Sequence, residues 1–225
     1  MADLIGAEHV AKCYGVWNSV DEIDFSTLPT TFVLKCTHTS GGLAIVKNKS
    51  QINIEEIKEK IEPFLHVSSW YNNFKEWAYK DVPPRIIAEE YMDTLGKETT
   101  NEYKITCIHG RVKMITICSG IAHGRSGEWF NDHFDRDGNR LPFAIRTLGG
   151  DLYGPKGTEL PEPKIVEELI NTAEILSKGI PQVRVDLYVH HGRVMFGEMT
   201  FYTWAGFMRY EPKEWDYKMG EWLEL

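Results

Sequence analysis

The chain has 225 residues, 42% of them hydrophobic, which is enough material for one large domain or two small lobes around a core. A formal net charge of −8 and the lack of any long basic run argue against a nucleic-acid groove. No apolar stretch is long enough to span a bilayer and the N-terminus shows no signal-peptide pattern, so a cytoplasmic protein without a membrane span is expected.

Residues 1–30 are weakly patterned and lead through Leu28-Pro29 to the first clear strand, Thr31 to Cys36, which is β-branched and aromatic. The polar loop Thr37-His38-Thr39-Ser40-Gly41-Gly42 follows, and Leu43 to Lys47 resumes as strand. Two readings of this hairpin stand. Its backbone N–H groups can approach anionic phosphate oxygens, with Lys35 adding a point charge, or it is an ordinary hairpin with a surface lysine.

Asn53 caps a helix with Glu56 three residues on, and Ile54, Ile57, Ile61 and Phe64 or Leu65 form its apolar stripe. The aromatic-rich segment Trp70 to Lys80 reads as a packed helix and loop, closed by Val82-Pro83-Pro84. Arg85 to Met92 is a buried strand that runs into Glu89 and Glu90, and residues 93–101 are a polar loop. Glu102 to Ile108 and Arg111 to Cys118 form a hairpin whose turn, His109-Gly110-Arg111-Val112, recurs as His191-Gly192-Arg193-Val194. That recurrence is shared turn chemistry rather than an internal repeat.

Ser119 to Thr158 carries ten glycines and prolines in forty residues and reads as a long irregular loop, of the kind that is functional or disordered. Its aromatic residues argue against simple disorder. Pro161-Glu162-Pro163 opens the strongest helix, with Ile165, Val166, Leu169, Ile170, Ala173 and Leu176 on one face and Gly179 and Pro181 ending it.

The segment Val183 to Thr200 reads as a β-hairpin. Val183, Val185, Leu187 and Val189 alternate with Arg184, Asp186 and Tyr188, so one face is aliphatic and the other carries charges in mid-strand. A three-residue loop ending at Gly192 would set Val189 opposite Arg193, Asp186 opposite Phe196 and Arg184 opposite Glu198. Asp186 and Glu198 would then be diagonal neighbours on one face, whereas a two-residue loop would place them on opposite faces. Asp186, Glu198 and the Thr200 hydroxyl are hard oxygen ligands suited to Mg²⁺ with nucleotide phosphates. The competing reading is an ion-paired hairpin, Arg184 with Asp186 or Glu198. The four cysteines, Cys13, Cys36, Cys107 and Cys118, include no CxxC pair and are expected reduced, and the eight histidines include no HExxH spacing.

Taken in order, these pieces resemble the ATP-grasp superfamily, and within it the TupA-like branch of teichuronopeptide biosynthesis. The stretches that carry the resemblance are Phe32-Val-Leu-Lys-Cys36, Pro84-Arg-Ile-Ile-Ala-Glu-Glu-Tyr91, Glu102-Tyr-Lys104, Arg184-Val-Asp-Leu-Tyr188 and Phe196-Gly-Glu-Met-Thr-Phe201. The resemblance implies an α+β ATP-grasp fold, two lobes with antiparallel sheets and hairpins holding MgATP between them. Residues 31–92 would be the small lobe with the Gly loop and 93–225 the large lobe with the metal-binding hairpin. Relatives carry further N-terminal sequence, so residues 1–30 are expected to be a remnant of such a region.

For the site, the resemblance implies that Lys35 and the loop Thr39, Ser40, Gly41 and Gly42 hold phosphates. Glu89, Glu90, Tyr91 and Met92 would line the adenine pocket, Glu102 would reach the ribose and Lys104 the phosphates. Asp186 and Glu198 would ligate Mg²⁺, with Thr200 where many relatives carry Asn, and Arg184 would face the transferred phosphoryl group. The implied cofactors are ATP and Mg²⁺. The implied activity joins a carboxylate to an amine through an acyl phosphate, in cell-surface polysaccharide or polypeptide assembly. Alternatives on the same fold are a phosphotransferase and a nucleotide-binding module without turnover.

Overall fold

The structure is a computed structural model and describes residues 1–39, 41–67, 75–92, 101–120, 129–147 and 149–223. Ser40, the aromatics Trp70, Tyr71 and Phe74, the polar loop 93–100 and the His123-Gly124-Arg125 stretch lie outside the described residues. In chain order the elements are α1 (Ala2–Ile5), β1 (Cys13–Trp17), β2 (Phe32–Cys36), β3 (Leu43–Val46), α2 (Ile54–Leu65), β4 (Ile86–Glu90), β5 (Glu102–Ile108) and β6 (Arg111–Ser119). They continue with β7 (Phe130–Phe134), β8 (Ala144–Arg146), β9 (Leu152–Tyr153), α3 (Pro163–Ser177), β10 (Gln182–His190), β11 (Arg193–Thr200), β12 (Arg209–Glu211) and α4 (Glu214–Glu221). The chain divides into two compact units, Ala11–Met92 and Met1–Val10 with Asp93–Leu225. Among the described residues no helix is long and apolar enough to cross a membrane.

The unit Ala11–Met92 is an antiparallel sheet of order β1-β4-β2-β3 with α2 on one face. Residues 11–30, expected to be a remnant apart from the small lobe, instead supply its edge strand, because β1 pairs with β4 along Gly15↔Ala88 and Trp17↔Ile86. Asn53 caps α2 as its sequence indicates: its Oδ1 accepts the Glu55 N–H at 3.1 Å, and its side-chain amide donates to Glu56 at 3.0 Å. Ile57, Ile61 and Leu65 bury against Phe32, Leu34 and Ile86.

The other unit is built on a five-stranded antiparallel sheet of order β11-β10-β5-β6-β7. Period-two alternation gives it two unlike faces. Val183, Val185 and Leu187 of β10, Ile105 and Cys107 of β5, and Ile115 and Ile117 of β6 form the core with Ile165, Leu169, Ala173 and Leu176 of α3. The opposite face carries Glu102, Lys104, Thr106, Thr116, Arg184 and Asp186. A small sheet, β12-β8-β9, packs with α4 through Phe143, Ile145, Tyr210, Trp215 and Met219.

The stretch 119–158, read from sequence as a loop, contains three strands, and β7 completes the main sheet. Asp132 of β7 explains how this Gly- and Pro-rich segment is held. It is fully buried, accepts the backbone N–H groups of Lys156, Gly157 and Thr158 at 3.2, 3.0 and 2.9 Å, and pairs with Arg140 at 2.8 Å. These long-range bonds are invisible to local patterning.

Both predicted hairpin turns are two-residue turns. His109 and Gly110 have φ of 49° and 73°, His191 and Gly192 have φ of 50° and 73°, and Ile108 pairs with Arg111 and His190 with Arg193. Both central residues are left-handed, the geometry that suits the strand twist. The expected three-residue loop is therefore corrected, and with it the register. By itself a two-residue loop would put Asp186 and Glu198 on opposite faces. A bulge at Gly197 reverses this: Leu187 pairs with Phe196, but Asp186 pairs directly with Glu198 and Arg184 with Thr200. A Cβ at Gly197 would lie 2.6 Å from the Tyr188 ring and 2.9 Å from the Asp186 carbonyl oxygen, so the bulge is specific to glycine.

Gly197→Ala is expected to destabilise by about 1–3 kcal/mol through overpacking, and Gly192→Ala, at its left-handed turn position, by about 1–2 kcal/mol. Urea unfolding midpoints check both, and a parental midpoint for Gly197→Ala contradicts the bulge account. Burial pushes the Asp132 carboxyl up, but the N–H groups of Thr158, Gly157 and Lys156 more than offset it and hold it below the ordinary value. A depressed carboxylate stabilises fully above its unfolded pKa of about 3.9 and loses that contribution as pH falls through the lower folded value. Urea midpoints from pH 7 to pH 2 should therefore drop below about pH 4, less steeply in Asp132→Asn; identical acid limbs would overturn the assignment.

Candidate active site

The polar face of the five-stranded sheet gathers six of the predicted site residues. β10 brings Arg184 and Asp186, β5 brings Glu102 and Lys104, and β11 brings Glu198 and Thr200, each set by alternation onto the same face. Asp186 is completely buried. Its Oδ1 accepts from Arg184 Nε at 2.6 Å, and its Oδ2 accepts from Arg184 Nη2 and Lys104 Nζ, both at 2.7 Å. Lys104 also pairs with Glu102 at 2.8 Å, and Glu102 accepts the Tyr188 hydroxyl at 2.8 Å. Arg184 Nη2 donates to Thr200 Oγ1 at 2.9 Å, and Thr200 donates to Glu198 Oε1 at 2.9 Å. The Glu198 side chain is 64% exposed, so the cluster grades from a dry end at Asp186 to a wet one.

The ionisation states follow from this arrangement. Burial alone would lower the Lys104 ammonium, but Asp186 and Glu102 outweigh it and raise it above an ordinary lysine. Arg184 is likewise disfavoured by burial and raised by Asp186, Glu198 and Glu102. Burial, reinforced by Glu102, raises Tyr188, which stays a neutral donor. Two cations thus face three carboxylates, leaving one net negative charge.

The donor set fits a divalent ion of the Mg²⁺ kind. Directly opposed Asp186 and Glu198 place their Cβ atoms about 4.5–5.5 Å apart, within reach of one small cation. Among the described residues no three His, Cys, Asp or Glu side chains gather as a self-sufficient metal site. Two carboxylates and a hydroxyl are an incomplete shell, which suits Mg²⁺ completed by water and phosphate oxygens. The ion-paired reading of the hairpin is the arrangement present, with Arg184 supplying the positive charge.

The remaining predicted residues belong to the unit Ala11–Met92. Lys35 of β2 ion-pairs with Glu89 of the neighbouring β4 at 2.5 Å. Thr39 Oγ1 accepts the Gly41 N–H at 3.3 Å. A Cβ on Gly41 would lie 2.0 Å from the Phe64 ring and one on Gly42, where φ is 67°, 2.5 Å from Cys36 Sγ, so both glycines let this loop close onto α2. Glu90 is exposed at the end of β4, and Tyr91 and Met92 follow it half-buried.

Tyr188 and Thr203 were missed as site residues. Tyr188 was detectable, since it continues the Arg184, Asp186 alternation. Thr203, whose hydroxyl accepts from Arg184 Nη1 at 3.3 Å, lies past the strand end, where no periodic signal reaches. The cluster also borders a cavity of about 370 Å³ that shares Lys104, Arg184 and Thr200 with it.

Residues 1–224 match the family described as TupA-like ATPgrasp. No curated protein matches the chain. Among solved structures it is similar to an L-amino acid ligase from Bacillus licheniformis (16% identity, TM-score 0.45, covering 82% of this chain and 37% of that one). It is also similar to a D-alanine–D-alanine ligase from Bacillus anthracis complexed with ATP (18% identity, TM-score 0.40, 80% and 44% covered). A third is the ATP-grasp ligase PsnB complexed with minimal precursor, Mg and ADP (10% identity, TM-score 0.41, 88% and 47% covered). The chain spans less than half the length of each of these three proteins. The assignment rests on the family match, which covers nearly the whole sequence: the chain belongs to the TupA-like ATP-grasp family and has its α+β fold.

Proposed function

We propose that the protein is an ATP- and Mg²⁺-dependent carboxylate–amine ligase acting in cell-surface polymer assembly. The polymer setting rests on the family alone. The chemistry is supported by one observation: Asp186 directly opposite Glu198, with Thr200 beside them and Arg184 and Lys104 on the same face.

Asp186, Glu198 and Thr200 would hold the ion, which would neutralise charge on the triphosphate oxygens. Arg184 and Lys104 remain charged at any physiological pH and would bind the phosphoryl oxygens. An acceptor carboxylate oxygen attacks the γ-phosphorus and ADP leaves, giving an acyl phosphate. The amine nitrogen then attacks the acyl carbon, phosphate leaves, and the nitrogen loses its proton to solvent. No protein nucleophile is needed, and burial pushes the nearby Cys118 thiol up to about 12 and the Cys107 thiol up to about 11. Lys35, Thr39, Ser40, Gly41, Gly42, Glu89, Glu90, Tyr91, Met92 and Glu102 keep the nucleotide roles that the family resemblance gives them.

Hydroxylamine trapping tests this reading. With ATP, Mg²⁺ and an acceptor acid, the protein should convert the acid to its hydroxamate with equimolar ADP. Arg184→Ala should cut the rate by about 10²–10³, the cost of losing one preorganised charged donor. ADP formed with a hydroxyl acceptor and no hydroxamate would point to a phosphotransferase instead.

A further inference from the structure

The cavity of about 370 Å³ lies wholly within the unit that carries the charge cluster, on the polar face of the five-stranded sheet. It falls in the size range of small-molecule sites. Its described lining contains no aspartate or glutamate. The cations that border it are Lys104 and Arg184, at the end it shares with the cluster. His133, which bonds the cavity-lining Thr116 at 2.9 Å, is pushed down to about 3 by burial and adds no charge. Arg184 Nη1 has a single partner among the described residues, Thr203 Oγ1 at 3.3 Å, which leaves one of its N–H groups for a ligand oxygen.

Five rings, Trp129, Tyr153, Tyr202, Trp204 and Tyr210, share the other walls with aliphatic and thioether side chains such as Ile108, Met114, Ile145 and Met208. Trp129 and Tyr153 already stack, with centroids 5.8 Å apart and planes at 27°. Asn131 and Gln182 provide uncharged hydrogen-bonding edges. Cations at one end, flat rings along the sides and no carboxylate describe a ligand with an anionic head and a ring body. An alanine-sized acid would leave most of the aromatic wall without contact.

We propose that this cavity takes the acceptor as a ring-bearing carboxylic acid, its carboxylate at Arg184 and its ring against Trp129 and Tyr153. The inference rests on the ligase reading for the word acceptor, and on the cavity alone for the ligand class. A sugar acid, offering the C–H face of a pyranose, and an aryl acid share this chemistry.

The test is calorimetric titration of the full chain, with and without Mg²⁺ and a non-hydrolysable ATP analogue. The probes are D-glucuronate, 4-hydroxyphenylacetate and D-alanine. At least one ring acid should bind tenfold or more tighter than alanine. Trp129→Ala should weaken it about tenfold, the order of one lost aromatic contact, and Trp129→Phe should recover most of that. Trp129 is partly exposed, so neither change threatens the fold. Preference for glucuronate assigns a sugar acid, and preference for the phenyl compound an aryl acid. Alanine binding as well as both, neither ring acid binding, or indifference to Trp129→Ala would overturn the proposal. Failure of the ligase reading shows differently, as absent nucleotide binding with ring-acid binding intact.

Discussion

The burial of Asp186 is the constraint on which the site depends. A carboxylate with no exposure, and no backbone donor among the described residues, is stable only if charged partners come to it. Arg184 supplies two of its contacts and Lys104 the third, and each cation then recruits its own partners, Glu102 for Lys104 and Thr200 and Glu198 for Arg184. Removing one member of such a cluster typically costs about 3–5 kcal/mol, because the others are left buried and unpaired. The cluster is therefore a structural unit as well as a chemical one, and its single residual negative charge is what a divalent cation would reverse.

That constraint is met because the sheet separates its two faces cleanly. α3 covers one side with aliphatic residues, so every charged side chain of β10 and β5 is directed to the other. The Gly197 bulge then brings β11 into phase. Without it Glu198 would face the α3 side, where an unpaired carboxylate is costly, and Asp186 would lose its acidic neighbour. One residue with no side chain sets the register by which Glu198 and Thr200 join the Arg184, Asp186, Glu102 and Lys104 already placed by the β10–β5 pairing.

Much of this was legible in the sequence, for identifiable reasons. Helices α2 and α3 and the main hairpins carry strong periodicity, and Asn53 and Gly179 mark ends by local chemistry. The shared face of Asp186 and Glu198 was foreseen from the wrong turn. A three-residue loop and a two-residue loop with a bulge give the same parity, and parity is all that alternation reports. The strands within 119–158 were missed because they are short, and because what holds them, the Asp132 contacts with 156–158 and the completion of the sheet by β7, is long-range. The two glycines of the loop after β2 were read for the room they give phosphates, and their close approach to Phe64 and Cys36 shows a packing reason beside that one.

The central claim is that Asp186 and Glu198 together form the metal half of a nucleotide site. Calorimetric titration with ATP, with and without Mg²⁺, tests it most directly, on the parent and on the Asp186→Asn, Glu198→Gln double variant. The account predicts Mg²⁺-dependent binding in the parent and its loss in a double variant that still shows a cooperative unfolding transition. Equal binding without Mg²⁺, or binding that survives in the double variant, would contradict it.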